Sequence, residues 1–159
     1  MPDSETQLPT PPDGMYPARV DDKGRLKLPV GFQQYFGGLE DKQLFVTSLD
    51  RRTGRIYPIR TWRETQKFFE HFRDDPRRAK NVQFTAQDLG ANEQMDAQGR
   101  IQLPPELRRE LGIENQPVRI CAQKGHIEIY SEAIYQEMKR RASESPEEDV
   151  EALERAGLL

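Results

Sequence analysis

One cysteine, Cys121, stands in the 159 residues, so no disulfide framework is possible and a reducing compartment is expected. It lies between Ile120 and Ala122, where a free thiol behaves as a small hydrophobe. The two histidines, His71 and His126, are far apart and have no cysteine nearby, so neither a zinc site nor any other cofactor is expected. The chain contains no G-x-x-x-x-G-K-[ST], no G-x-S-x-G and no H-E-x-x-H. With those go the phosphate loop, the hydrolase nucleophile and the metalloprotease helix, and no enzyme is expected. No apolar run approaches the ~18 residues that a bilayer demands, and none follows Met1 in the manner of a secretory signal. A soluble cytoplasmic protein with no membrane partner is the expectation.

Apolar residues are also scarce, at 35% against 32% charged, which is polar for a chain that folds throughout. Residues 1–14 hold four prolines and almost nothing to bury, and read as a disordered acidic arm. Residues 143–159 hold six acids against one arginine and open with Ser145-Pro146-Glu147-Glu148, the pattern of a capped helix start, so they read as an acidic helical tail. With three further acids in the arm, the overall charge of −3 leaves +5 on residues 15–142. A basic body between acidic ends points to a polyanion partner.

What the chain does have, it has twice. DDKGRLKLPVGFQQYFG from Asp21 is answered by DAQGRIQLPPELRREL-G from Asp96, so that Asp21, Gly24, Arg25, Leu28, Pro29, Phe36 and Gly37 return 75 residues later. The match runs on, with Leu44-Phe45-Val46 answered at an offset of 74 and Ile56-Tyr57 at 73. A repeat on this scale marks a duplicated folding unit.

In each copy a glycine, Gly24 or Gly99, permits the positive φ of a tight turn between strands, with Asp21 or Asp96 as the structural partner. Leu26 and Leu28, or Ile101 and Leu103, then alternate with polar residues as in a half-buried strand. Pro29 or Pro104 starts a short helix whose Phe32/Phe36 or Leu107/Leu111 pair shares a face, and Gly37 or Gly112 stops it. A hairpin follows, over residues 44–57 with Gly54 near its tight end, and over residues 118–130 with a shorter turn. Thr61 with Glu64 predicts a capped helix after the first hairpin, and Ser131 one after the second. The organisation is thus an arm (1–14), a first unit with its helix (15–72), a charged linker (73–90) broken at Pro76, a second unit with its helix (91–142) and the tail (143–159).

This order of strand, D-x-x-G-R turn, strand, L-P, short helix and hairpin resembles the AbrB-like swapped-hairpin DNA-binding fold. Two tandem copies separated by a long helix and a charged segment resemble the MraZ family of bacterial transcriptional regulators. The resemblance covers about residues 15–142. It implies an α+β, mainly β fold, in which duplicated swapped-hairpin units pair into one pseudo-twofold, β-barrel-like body with a helix after each unit. It also implies double-stranded DNA as partner, action on division and cell-wall genes through repeated promoter elements, a nucleoid-associated location and self-assembly into a homo-oligomer, with a ring as one form.

Arg19, Lys23, Arg25 and Lys27 alternate around the first turn, and Arg100 occupies the second, so these five are the candidate DNA contacts. A guanidinium fork suits both phosphate and guanine. The competing assignment is structural, with each arginine paired to its own Asp21 or Asp96. Gln98 and Gln102 replace Lys23 and Lys27 in the second copy, so the copies look specialised. Arg51, Arg52 and Arg55 read as a solvated loop, and Arg140-Arg141 as a solvated helix end. The alternative function is an antitoxin-like or scaffolding module of the same fold that binds protein through its acidic arm or tail.

Overall fold

The computed structural model describes residues 9–159. Residues 1–8, most of the expected acidic arm, lie outside the described residues. The elements are β1 (Tyr16–Val20), β2 (Arg25–Lys27), α1 (Val30–Gly37), β3 (Leu44–Ser48), β4 (Gly54–Pro58), α2 (Ile59–His71) and α3 (Pro76–Leu89). They continue with β5 (Ala91–Glu93), β6 (Arg100–Gln102), α4 (Pro105–Leu111), β7 (Pro117–Gln123), β8 (His126–Ser131), α5 (Glu132–Ala142) and α6 (Pro146–Arg155).

All eight strands form one sheet in the order β5-β3-β4-β8-β7-β1-β2-β6. Every neighbouring pair is antiparallel. The two end strands, β5 and β6, flank the Asp96 turn, where the Asp96 N–H donates to the Arg100 carbonyl at 2.8 Å, so the sheet nearly closes into a barrel. Closure of this kind leaves little unpaired edge. The pairing crosses between the repeats: β1 of the first lies on β7 of the second, and β5 of the second lies on β3 of the first. Like strands meet directly, β2 with β6 and β4 with β8.

Alternation along the strands sends Leu26, Val46, Ile56, Ile101, Ile120 and Ile129 into one buried cluster. Phe32 and Phe36 of α1 join it, as do Leu107 and Leu111 of α4. Burial of one such side chain contributes roughly 1.5–3 kcal/mol, and neither repeat holds enough of them to form a core alone. A second, smaller cluster lies on the outside of the sheet, where Phe45 and Tyr57 meet Ile59, Trp62 and Ala86 of α2 and α3. Phe45 and Trp62 stack with centroids 4.5 Å apart.

The segment expected as a charged linker, residues 73–90, is mostly helix. Asp75 caps α3 by accepting from the Arg77 N–H at 3.2 Å, and Pro76 takes the first turn, where its missing N–H costs nothing. The inward positions of α3 are Ala79, Ala86 and Leu89, of which the two alanines carry little apolar signal yet let the helix approach the sheet. The Thr47 hydroxyl fixes that approach by donating to the Ala86 carbonyl at 2.7 Å. Thr61 does not cap α2, which begins two residues earlier at Ile59 behind Pro58 with no side-chain cap. Ser131 caps α5 as expected, accepting from the Ile134 N–H at 3.2 Å. The stop of α1 falls at Gly38 rather than Gly37. Gly54 serves strand packing instead of a turn: a Cβ there would lie 3.1 Å from Leu111 Cδ1. Pro12, in the described part of the arm, lies over α1, its Cγ 2.8 Å from where a Gly31 Cβ would stand.

The two D-x-x-G-R turns carry the tightest constraint. Gly24 has φ +81°, and a Cβ on it would lie 2.2 Å from the Arg108 guanidinium; Gly99 has φ +77°, with Gln33 at the same distance. Substituting Gly24→Ala is expected to lower stability by about 1–2 kcal/mol from the left-handed backbone alone, and further because Arg108 must move. Gly37→Ala, in open space at the end of α1, should be neutral or stabilising. Urea unfolding midpoints of the two variants make the comparison, and equal losses would contradict this account.

Candidate nucleic-acid interface

The two turns and the strands behind them form one surface. Leu26 and Ile101 face each other across β2 and β6 and are fully buried, so alternation turns Arg25, Lys27, Arg100 and Gln102 to the outside. Lys27 stands opposite Arg19 on β1 and opposite Arg100 on β6. Three cations from three strands, one of them from the other repeat, therefore lie in a row at strand spacing, about 4.7–4.9 Å per step. Arg25 faces Gln102 in the adjoining row. Like charges placed directly across a sheet cost stability. Within the row Arg100 has Asp96 as its counter-ion at 2.9 Å.

Each turn grips its arginine with one aspartate. Asp21 Oδ1 accepts from the N–H groups of Lys23 (2.9 Å) and Arg25 (2.8 Å), and its Oδ2 accepts from Arg25 Nε at 2.8 Å. Asp96 repeats this with Gln98, Arg100 and Arg100 Nε, each at 2.9 Å. The structural assignment weighed for these residues is present, but it engages only Nε. Among the described residues neither Arg25 nor Arg100 has a hydrogen-bond partner for its terminal nitrogens, so both forks are held in orientation with their outer edges open. Lys23 is exposed. Lys27 Nζ donates to the Gln98 carbonyl and Gln102 Nε2 to the Lys23 carbonyl, so each turn is also held by the other repeat. Arg19 donates to the carbonyl (2.9 Å) and Oδ1 (3.2 Å) of Asn115.

Two supports were missed in the sequence. Gln33 on α1 donates to the Leu28 carbonyl at 2.7 Å and lies over the Gly99 turn; Arg108 on α4 donates to the Leu103 carbonyl and lies over the Gly24 turn. They occupy matching places 75 residues apart, and that correspondence was the available signal. Arg51, Arg52 and Arg55 are away from this surface and engaged elsewhere. Arg51 bridges Asp88 (3.1 Å) and Glu110 (3.0 Å), Arg52 reaches Glu137 (2.8 Å), and Arg55 bonds the Tyr57 hydroxyl at 2.9 Å. Arg51 and Arg52 brace the first hairpin against α3, α4 and α5, while Arg55 stays within the sheet, with Glu128 of β8 at 3.8 Å. Arg140 and Arg141 pair with Glu144 and Glu137. Among the described residues no three metal-ligating side chains come together, and no helix is long and apolar enough to cross a membrane.

The hydrogen bond from the Arg25 N–H, with the Arg25 side chain and the Lys23 N–H adding to it, lowers the Asp21 carboxyl from 3.8 to about 2 against the opposing effect of desolvation. Asp96 is lowered by the equivalent bonds from Arg100 and Gln98. A depressed carboxyl contributes stability above its unfolded value and loses that contribution as pH falls through its folded one. Stability should therefore decline between pH about 4 and about 2 as Asp21 takes up its proton. Asp21→Asn should show a shallower decline across that window in denaturant titrations, and an unchanged slope would remove Asp21 from the account.

Comparison with known proteins bears on the same region and beyond it. The family model described as "MraZ protein, putative antitoxin-like" matches residues 89–155, from the end of α3 through the second repeat and α6. A protein of Acidobacterium capsulatum named Transcriptional regulator MraZ is 32% identical over 146 residues, covering 91% of this chain and 98% of its own. The protein of that name from Herpetosiphon aurantiacus is 34% identical over 127 residues, covering 77% and 82%. That from Koribacter versatilis is 32% identical over 108 residues, covering 65% and 71%. With both repeats and nearly all of the first relative aligned, the chain belongs to the MraZ family, whose members are transcriptional regulators and not enzymes.

Proposed function

We propose that this protein is a sequence-specific DNA-binding regulator of division and cell-wall genes, acting in the cytoplasm at the nucleoid through repeated promoter elements. The observation that carries this reading is the Arg19–Lys27–Arg100 row, flanked by Arg25 and Lys23, on the outer face of the β2–β6 ribbon and the adjoining β1. A two-stranded ribbon fits the major groove of B-DNA, and arginine forks that are already oriented bind guanine or phosphate with little further ordering. In the same reading the repeats are swapped-hairpin units about a pseudo-twofold axis between β2 and β6. The crossed strand pairing and the matched turn contacts support it.

The first repeat supplies most of the phosphate contacts, through Lys23 and Lys27, where the second offers Gln98 and Gln102. In gel-shift titrations Arg25→Ala should weaken operator binding by about tenfold or more, as expected for loss of a bidentate contact. Arg155→Ala, in the acidic helix, should leave binding unchanged, and equal effects would refute the assignment. For Lys27→Ala the slope of log affinity against log salt should fall by about 0.9.

One such ribbon is a small surface for specific binding, so the protein acts as a homo-oligomer, a ring being the form that would present copies of the row to closely spaced repeats. Light scattering at micromolar concentration should return a mass above that of a dimer. A monomer would end the avidity argument.

A further inference from the structure

Two apolar surfaces of this chain have no partner among the described residues, and their charges are opposite. The first is a groove of about 380 Å³ between α2 and α3, lined by Trp62, Phe69 and Phe84 with Lys80 on its rim. Phe84 is 66% exposed, an unusual placement for phenylalanine. Where the groove continues past Phe72, Arg73 and Arg77 join Lys80 against a single carboxylate, Glu70, so the rim stays basic on balance.

The second is α6. Val150 and Leu153 lie three residues apart on one face and are 47% and 57% exposed. The chain then turns back at Gly157, with the Leu158 N–H donating to the Leu153 carbonyl at 2.9 Å and the Gly157 N–H to the Glu154 carbonyl at 3.1 Å. That double closure is the helix stop in which the residue at Leu158 commonly packs on the one at Leu153, which would extend the apolar stripe. Six carboxylates and one arginine surround it in residues 143–159, all of which are exposed. A helix of 10 residues standing clear of the body has little reason to persist in water, because isolated helices below about 12–15 residues are marginal. It needs a surface, and an acidic amphipathic helix suits an apolar groove with a basic rim.

We propose that α6 of one copy lays its Val150–Leu153–Leu158 stripe into the α2–α3 groove of a second copy, with its carboxylates facing Lys80, Arg73 and Arg77. This contact is independent of the DNA reading and would link copies whether or not the β-ribbon meets nucleic acid.

Full-length chains carrying Phe84→Cys and Leu153→Cys test it, since both positions are exposed and the native Cys121 is buried. Mixing the two variants under mild oxidation should give a disulfide-linked pair of chains that neither variant gives alone. Adding Lys80→Glu to the first should slow its formation several-fold. No mixture-specific product above the wild-type background overturns the proposal. So does an internal disulfide in a monomeric Phe84→Cys/Leu153→Cys double variant, which would make the groove's occupant the same chain. A second readout uses the stripe itself: Val150→Asp added to the Leu153→Cys chain should abolish the mixture-specific product without changing far-UV circular dichroism. A product that forms at the same rate would equally overturn the proposal.

Discussion

The structure depends on an exchange of backbone hydrogen bonds between its two repeats. Leu28 N–H donates to the Gly99 carbonyl at 3.0 Å, and Leu103 N–H to the Gly24 carbonyl at 2.9 Å. Each bond ties the end of one repeat's second strand to the glycine turn of the other. Unmade, each would leave buried backbone groups without a partner, a cost of about 1–3 kcal/mol apiece. The same crossing repeats on a larger scale, with β1 on β7 and β5 on β3. A single repeat would therefore present unpaired strand edges and half a core. The turns that bear the candidate contacts are the points at which the halves are tied together.

The aspartates turn that scaffold into a presenting surface. Asp21 and Asp96 each accept two backbone N–H groups and one guanidinium Nε, so folding the turn and orienting the arginine are one event. A free arginine would lose up to about 2 kcal/mol of rotamer freedom on binding, and here part of that loss is taken at folding. The ion pair and the binding role are consequently compatible, because they use different nitrogens of the same side chain. Treating them as alternatives, as the sequence invites, overlooks that a guanidinium has three.

Much of this was legible from residues 21–37 and 96–112 because local chemistry dictates it. Glycine at positive φ, aspartate accepting turn amides and apolar alternation act within a few residues of one another, so the turns, strands and short helices follow directly. The row of Arg19, Lys27 and Arg100 could be named but not assembled, since its register depends on a pairing between residues more than 70 apart. Residues 73–90 misled for a different reason. Asp-Pro reads equally as a break and as a helix start, and Ala79 and Ala86 carry too little hydrophobic signal to decide it. At the first hairpin the solvated loop could be read but not the ion pairs of Arg51 and Arg52, because their carboxylate partners come from three other helices.

Joining two repeats in one chain permits something that a symmetric pair of identical chains does not. In such a pair every substitution appears on both sides of the axis. Here Lys23 and Lys27 answer Gln98 and Gln102, and Gln33 answers Arg108. The last pair shows the limits on divergence. Both side chains donate to the matching carbonyl and cover the opposite glycine, but Arg108 also brings a charge, which Glu114 balances, while Leu39 stands at the place that answers Glu114. Positions that hold the turns have thus changed with a compensating neighbour. On the open face Lys27 and Gln102 keep one structural role, each donating to a turn carbonyl of the other repeat, while the charge has changed and nothing beside Gln98 or Gln102 restores it. Since the turn contact survives without the charge, the charge itself is not maintained by folding. On the DNA reading, the constraint that shapes it is the ligand, which meets the two halves of the ribbon in different ways.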